Sequence, residues 1–167
     1  HPMIGKERGS LDVADASLFQ NRIYCLTPTR RTPPAAIDKV SAFVEALGAR
    51  VRFLEPAEHD GQVAGVNQLP FLSATALMST VANSPAWGDA SLLADSAFRD
   101  MTRLAAGDPA IYRDICLTNS EALTRWLNNY INALTLLRNR IAAHDSNLEE
   151  MFAESQQLRL QWKTSSR

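Results

Sequence analysis

Three arginines lie among aspartates in the stretch FRDMTRLAAGDPAIYRD, which covers residues 98–114. Arginine stays charged at physiological pH and can hold a carboxylate through two parallel hydrogen bonds. Arg99 and Arg103 are four residues apart, so both side chains would project from one face of a helix. The spacing indicates a carboxylate-binding pair or, as the alternative, charges that pair with neighbouring aspartates on a solvated face.

The same stretch contains a helix start. Asp108 offers a side-chain acceptor for unpaired backbone amides, and Pro109 lacks an N–H that would have no partner at the first helical position. We therefore predict a short helix that carries Arg99 and Arg103, a break at Gly107, and one long helix from Pro109 to about residue 144. A further helix is predicted over residues 146–163. The apolar side chains of the long helix form one wide stripe: Leu123, Trp126, Leu127, Tyr130, Ile131, Leu134, Leu137 and Ile141.

The first third of the chain has a different pattern. Residues 21–27 and 51–54 have the composition of β-strands, and residues 35–47 have apolar side chains at helical spacing, closed by Gly48. A strand, a helix and a strand within this length predict two parallel strands, which cannot form a stable sheet by themselves. A helix follows over residues 56–82, and Pro70 should kink it.

Composition excludes several function classes. The 17 basic and 18 acidic residues are nearly balanced, which argues against a nucleic-acid-binding or membrane-surface protein. No apolar run is long enough to cross a bilayer. Cys25 and Cys116 occur in unlike contexts without metal-ligand spacing, so we expect a cytoplasmic protein with no metal. The seven glycines do not form the GxGxxG turn that holds the phosphates of a dinucleotide.

Three stretches resemble, in the same order, motifs of the prephenate/arogenate dehydrogenase family: HPMIGKE (1–7), EHDGQVAGVNQLPFLSATAL (58–77) and FRDMTRLAAGDPAIYRDI (98–115). The resemblance implies a mainly α fold, in which a helical dimerisation domain follows a short βαβ remnant of a Rossmann-type sheet. Residues 1–55 would end a nucleotide-binding α/β domain, and residues 56–167 would form the helical substrate-binding domain. Because the chain starts directly on a family motif, we expect the C-terminal part of a longer enzyme or a gene that has lost its front.

The resemblance also implies roles for particular residues. His1 matches the catalytic histidine of the family's HP-x-x-G motif, and Arg103 matches the arginine that holds a substrate carboxylate. Glu7 falls where the family has an acidic residue that helps to organise the site. The family's SHLPH stretch is NQLPF here, so Gln68 and Phe71 replace both histidines. Gln68 still offers amide hydrogen bonds to a substrate, whereas Phe71 offers an apolar face.

The implied reaction is the oxidative decarboxylation of a cyclohexadienyl acid, prephenate or arogenate, in tyrosine biosynthesis. NAD or NADP would be bound mainly by a domain absent from this chain, and the chain would form a homodimer through its helices. We expect His1 and Arg103 to face one cavity. His59 is interpreted as structural, because the N-terminal end of a helix disfavours an imidazolium. The alternative from another class is a non-catalytic dimerisation or regulatory module that has lost the cofactor domain.

Overall fold

The computed structural model describes residues 1–4, 12 and 14–165 of the chain. Strand β1 (Ile23–Leu26), helix α1 (Pro34–Ala46) and strand β2 (Arg50–Phe53) form the predicted strand–helix–strand unit. The two strands are parallel, and Ile23 lies opposite Arg50. The prediction of parallel strands is therefore confirmed.

The first three residues extend this sheet on the other side of β1. Pro2 forms an antiparallel bridge with Tyr24. The Cys25 amide donates to the carbonyl of His1 at 2.8 Å, and the Met3 amide donates to the carbonyl of Ile23 at 2.9 Å. These bonds fix the backbone of His1 beside β1.

The connection from α1 to β2 depends on Gly48, whose φ is +78°. A side chain would be strained in this left-handed conformation, and a Cβ at this position would overlap the side chain of Gln20. The carbonyl of Gly48 accepts a hydrogen bond from the Asn21 amide at 2.7 Å, just before β1 begins. Gly48 thus ends α1 in the way that the sequence predicted.

The predicted kinked helix is divided into three segments. Helix α2 (Pro56–Val63) is followed by a π-helical turn (Ala64–Gln68) and by helix α3 (Leu69–Ala82). The Leu69 amide donates to the carbonyl of Ala64, five residues earlier. This wider turn places Pro70 in the first turn of a new helical segment, where its missing N–H has no partner to lose. At the position where the sequence predicted a kink, the helix therefore changes from α-helical to π-helical hydrogen bonding.

Helix α4 (Trp87–Ala90) and a 3₁₀ turn (Ser91–Leu93) lead to helix α5 (Ser96–Thr102). A second 3₁₀ turn (Arg103–Ala106) follows α5 directly. The prediction that Arg99 and Arg103 lie on one α-helix is wrong, because the hydrogen bonding changes between them. The 3₁₀ turn allows the chain to tighten before the break at Gly107, which is confirmed.

Helices α6 (Pro109–Thr118), α7 (Ser120–Ala142) and α8 (Leu148–Ser165) are the last three elements of the described residues. Asp108 caps α6 as predicted, because its Oδ1 accepts from the amides of Ala110 at 2.8 Å and Ile111 at 3.3 Å. The single long helix from Pro109 is wrong: Asn119 interrupts it with φ −121° and ψ 34°. The Asn119 side chain bonds to other elements, and these bonds stabilise the interruption.

The chain divides into two compact units, residues 1–124 and 125–167. In the first unit, Ala64, Ala122 and Leu123 form a buried cluster, against which Leu72 and Cys116 pack. The second unit contains the rest of α7, a turn and α8, and the Asn147 amide in its turn donates to Asp145 Oδ1 at 2.9 Å. The mainly α fold after a two-stranded parallel sheet is confirmed. Among the described residues, no helix has the length and apolar character needed to cross a membrane.

Candidate active site

Two imidazoles and a carboxylate form a continuous chain of hydrogen bonds. His1 Nδ1 lies 3.0 Å from His59 Nε2, and His59 Nδ1 lies 2.9 Å from Asp60 Oδ1. The two rings meet edge to face, with centroids 5.1 Å apart and an angle of 73° between their planes. In this arrangement each imidazole can donate a hydrogen bond from one nitrogen and accept one at the other, as is needed in a site that accepts a proton.

Different elements hold the two histidines. The backbone nitrogen of His1 donates to the Cys25 carbonyl at 2.7 Å, and the His1 carbonyl accepts from the Cys25 amide at 2.8 Å. His59 is the fourth residue of α2, and its side chain is only 13% exposed.

Asn119 links the start of α2 to Gln68. Its Nδ2 donates to the backbone carbonyl of Asp60 at 3.0 Å and to Gln68 Oε1 at 2.9 Å. The two sets of hydrogen bonds meet at Asp60, whose carboxylate contacts His59 and whose backbone carbonyl accepts from Asn119. Of the residues that the sequence singled out, the structure brings His1 and Gln68 into one network.

Arg103 belongs to another element. It is the first residue of the second 3₁₀ turn, and its side chain is exposed. The 3₁₀ turn packs against α3, which begins directly after Gln68. A cavity shared by Arg103 and His1 therefore stays a prediction.

Phe71, which replaces the second family histidine, is buried and stacks on Tyr112. The ring centroids are 3.9 Å apart and the planes differ by 9°. Tyr112 donates its hydroxyl hydrogen to the Leu104 carbonyl at 2.8 Å. The two rings line a cavity of about 360 Å³ together with Leu72, Thr75, Ala105 and Cys116. Phe71 thus contributes to packing, as expected from its apolar side chain.

Two further observations concern charged residues. Arg113 Nε donates to Asp114 Oδ1 at 2.7 Å, and both side chains are 64% exposed, so the two form an ion pair on the surface. Glu7 lies outside the described residues, so its role stays a prediction. In the part of the chain that the structure describes, no three His, Cys, Asp or Glu side chains could hold a metal ion.

Sequence reasoning missed the contact between His59 and His1. His59 was interpreted as structural, but the structure places it against the imidazole of His1 and beside Asp60. Asn119 was also missed, because the pattern of a continuous helix concealed it. An asparagine between two helix-forming segments, Pro109–Thr118 and Ser120–Ala142, is the one local signal that could have indicated the break.

Profiles of two domains match the chain. The profile described as "Prephenate dehydrogenase, dimerization domain" matches residues 55–156, and "Prephenate dehydrogenase, nucleotide-binding domain" matches residues 1–53. The cyclohexadienyl dehydrogenase of Zymomonas mobilis is 36% identical over 98% of this chain and 57% of its own length. The prephenate dehydrogenase of Bacillus subtilis is 28% identical over 87% of this chain and 40% of its own length.

Solved structures agree with these matches. An arogenate dehydrogenase from Synechocystis has a TM-score of 0.84 at 30% identity, over 97% of this chain and 60% of that one. A prephenate dehydrogenase from A. aeolicus, in complex with hydroxyphenyl propionate and NAD⁺, has a TM-score of 0.89 at 28% identity, over 96% of this chain and 57% of that one. All four of these proteins are dehydrogenases, a class of oxidoreductase. The chain belongs to the prephenate/arogenate dehydrogenase family.

The chain spans between 40% and 60% of the length of these four proteins. The start of α1 fits the phosphates of a dinucleotide poorly. Helix α1 follows β1 but begins with Pro33 as N-cap and Pro34 as its first residue, and proline has no N–H to donate.

Proposed function

We propose that this chain is the C-terminal part of an NAD(P)-dependent prephenate or arogenate dehydrogenase of tyrosine biosynthesis. The reaction is the oxidative decarboxylation of a cyclohexadienyl acid to its phenol. The observation that carries the proposal is the contact between His1 and His59, with His59 bonded in turn to Asp60. In a family of dehydrogenases, an imidazole held in this way can accept a hydroxyl proton near neutral pH.

The residues of this chain have separate tasks in the proposed reaction. His1 accepts the proton of the ring hydroxyl, and the electron pair left on oxygen forms a carbonyl as a hydride leaves the carbon. CO₂ then departs, and the electron pair of the broken C–C bond moves through the ring onto the carbonyl oxygen. That oxygen takes up a proton, so the product is an aromatic phenol. Arg103 binds a carboxylate of the substrate, and Gln68 offers amide hydrogen bonds. Glu7 is proposed to organise the same site.

The hydride acceptor is proposed to be NAD⁺ or NADP⁺, held mainly by residues outside this chain. Two observations favour a cofactor site that lies mainly outside this chain: the chain has no GxGxxG turn, and α1 begins with prolines. We accordingly propose that residues 1–55 belong to the end of the nucleotide-binding domain and that residues 56–167 form the substrate-binding and dimerisation domain. The protein is proposed to act in the cytoplasm.

A homodimer through the helical domain is the proposed assembly. In the second unit, none of the described side chains is buried, although many are apolar. The apolar side chains of α7 include Ile131, 55% exposed, and Leu134, 47% exposed. A second copy of the chain would remove this surface from water. The description of the matching profile as a dimerization domain favours the same assembly.

The proposal is tested by steady-state assays of the full-length protein that contains this chain. Prephenate and arogenate are each supplied with NAD⁺ or NADP⁺, and reduced dinucleotide and CO₂ are measured. We expect one combination of acid and dinucleotide to yield reduced dinucleotide and CO₂ in equal amounts. Absence of turnover with every pairing would contradict the proposal.

The second candidate is a non-catalytic dimerisation module. Phe71 favours it, because this side chain is buried against Tyr112 and leaves an apolar group where the family has a polar one. The same assays discriminate the two candidates, together with the upstream reading frame. A stop codon and a start signal directly before His1 would favour the module, whereas an upstream strand–GxGxxG–helix would favour the enzyme.

A further inference from the structure

The hydrogen bonds determine which nitrogen of His1 carries its proton. An ionised carboxylate only accepts hydrogen bonds, so Asp60 requires the proton of His59 on Nδ1, 2.9 Å away. Neutral His59 then has its lone pair on Nε2. Because His1 Nδ1 lies 3.0 Å from that atom, His1 must donate from Nδ1. The lone pair of His1 is therefore on Nε2.

We propose that Asp60 and His59 are positioning residues that set the tautomer of His1, so that His1 Nε2 accepts the hydroxyl proton of the substrate. This inference rests on the proposed function. Asp60 acts through His59, and His59 acts through His1. The pair thus determines both the orientation of the His1 ring and the atom at which it reacts.

Rigid elements hold this arrangement. The backbone of His1 is bonded to Cys25 of β1 by two hydrogen bonds, at 2.7 and 2.8 Å. His59 is anchored in the first turns of α2, where its amide donates to the Glu55 carbonyl at 2.9 Å. Its side chain is mostly enclosed, whereas Glu58 beside it bonds to Gln62 at 2.8 Å. Asp60 is therefore the carboxylate on this helix that contacts His59.

We call the hydrogen-bonded set Asp60, His59 and His1 the relay. The relay also compensates the charge that forms on His1 during proton transfer. When His1 accepts a proton, its ring becomes a cation, and the hydrogen bond from Nδ1 shares that charge with His59. The carboxylate of Asp60 supplies a compensating negative charge through His59 Nδ1.

The kinetic test uses the full-length protein that contains this chain. Asp60→Asn and His59→Ala remove the two links, and Glu58→Gln is the matched control, because it removes a carboxylate from the same helix without touching either ring. Asp60 is 59% exposed and water competes for its hydrogen bonds, so we expect Asp60→Asn to lower kcat by about tenfold, at the lower end for an outer partner of a functional histidine. We expect KM to change less than about twofold, since the relay acts on the transition state.

His59→Ala should lower kcat by more than Asp60→Asn, and added imidazole should restore part of the loss by filling the space of the missing ring. A purely structural role for His59 would give no such rescue. Wild-type values of kcat in Asp60→Asn, or a lack of imidazole rescue in His59→Ala, would overturn the relay. The same fall in kcat for Glu58→Gln would also overturn it, because the effect would then come from net charge.

Nuclear magnetic resonance of the full-length protein with ¹⁵N-labelled histidine tests the hydrogen bonds from Asp60 to His1 without any turnover. The three histidines of this chain are His1, His59 and His144, and the exposed His144 serves as an internal reference. We expect His1 and His59 to carry their protons on Nδ1 in the wild type. In Asp60→Asn, the Nδ1-protonated fraction should fall for both, while His144 stays unchanged.

Protonation of wild-type His1 on Nε2, or a His1 tautomer that Asp60→Asn does not alter, would overturn the inference. Failure of the proposed function has a different outcome, which is the absence of turnover by the wild-type protein with either acid. The two failures are therefore distinguishable.

Discussion

His1 and His59 lie in contact, yet their surroundings give them different tasks. His1 is exposed and bonded through its backbone to β1, so its ring can meet a substrate. His59 is mostly enclosed between His1 and Asp60, so its ring can only transmit the effect of the carboxylate. Under the proposed function, His1 is the imidazole that reacts, and His59 determines its orientation.

Arg103 provides the first prediction at the residue scale. Replacing its guanidinium with Arg103→Ala in the full-length protein removes the proposed charge-assisted bonds to a substrate carboxylate. Because the side chain is exposed, we expect the lower end of the usual range, a loss of about 2 kcal/mol, which corresponds to a rise in KM of about 30-fold. Steady-state kinetics measure this change.

Arg99→Ala is the matched control for Arg103, because Arg99 is an exposed arginine one turn earlier in α5. Its KM should stay within about twofold of the wild type, since surface charges at a distance are screened. A similar KM for both variants would remove Arg103 from the substrate site.

Family resemblance names individual residues of the site, whose roles stay predictions, but it does not indicate where distant parts of the chain meet. The sequence indicated His1, Arg103 and Gln68 by family resemblance. The partner of His1 is 58 residues away in sequence, and the contact depends on how the edge of the sheet meets the start of α2. No local pattern carries that information, so His59 was interpreted from its helix position alone.

At the scale of elements, Asn119 connects three segments of the first unit. Its side chain joins the Asp60 carbonyl in α2 to the Gln68 side chain in the π-helical turn, while its backbone separates α6 from α7. The interruption of the helix thus places the Asn119 side chain where it donates both to α2 and to the π-helical turn.

Asn119→Ala should lower the free energy of unfolding by about 1–3 kcal/mol, because it leaves two acceptors without this donor. Asn132→Ala is the matched control, since Asn132 is exposed on α7. We expect the control to stay within about 0.5 kcal/mol of the wild type. Urea unfolding measures both, and equal stability of the two variants would contradict the role of Asn119.

The elements show why local patterns predicted some features and missed others. The strand–helix–strand unit and the cap at Asp108 depend on neighbouring residues, so composition and spacing were sufficient. Pro70 predicted a kink, but the π-helical turn is a response of the whole segment 64–68. The break at Asn119 depends on partners 51 and 59 residues away. The spacing of apolar residues in the sequence does not indicate long-range hydrogen bonds of this kind.

At the scale of the whole molecule, the proposed dimer makes a direct prediction. Leu134→Glu places a charge on the apolar stripe of α7, where burial against a second chain would leave it unpaired. We expect the dimer to dissociate at concentrations at which the wild type remains dimeric. Light scattering after size-exclusion chromatography measures the mass of both.

Asn132→Glu adds the same charge to α7 outside the apolar stripe, and this variant should keep the wild-type mass. A wild-type protein that is monomeric at high concentration would contradict the proposed dimer. A Leu134→Glu variant that stays dimeric would instead place the interface elsewhere on the molecule.

The most direct test of the account is the steady-state kinetics of His1→Asn in the full-length protein, with the acid and dinucleotide that the wild type prefers. Asparagine keeps a hydrogen-bond donor near His59 but cannot accept a proton, so we predict that kcat falls by about 10²- to 10⁴-fold, with KM nearly unchanged. His144→Asn, at an exposed position in the second unit, should retain the wild-type kcat. A His1→Asn variant that turns over at the wild-type rate would contradict the account.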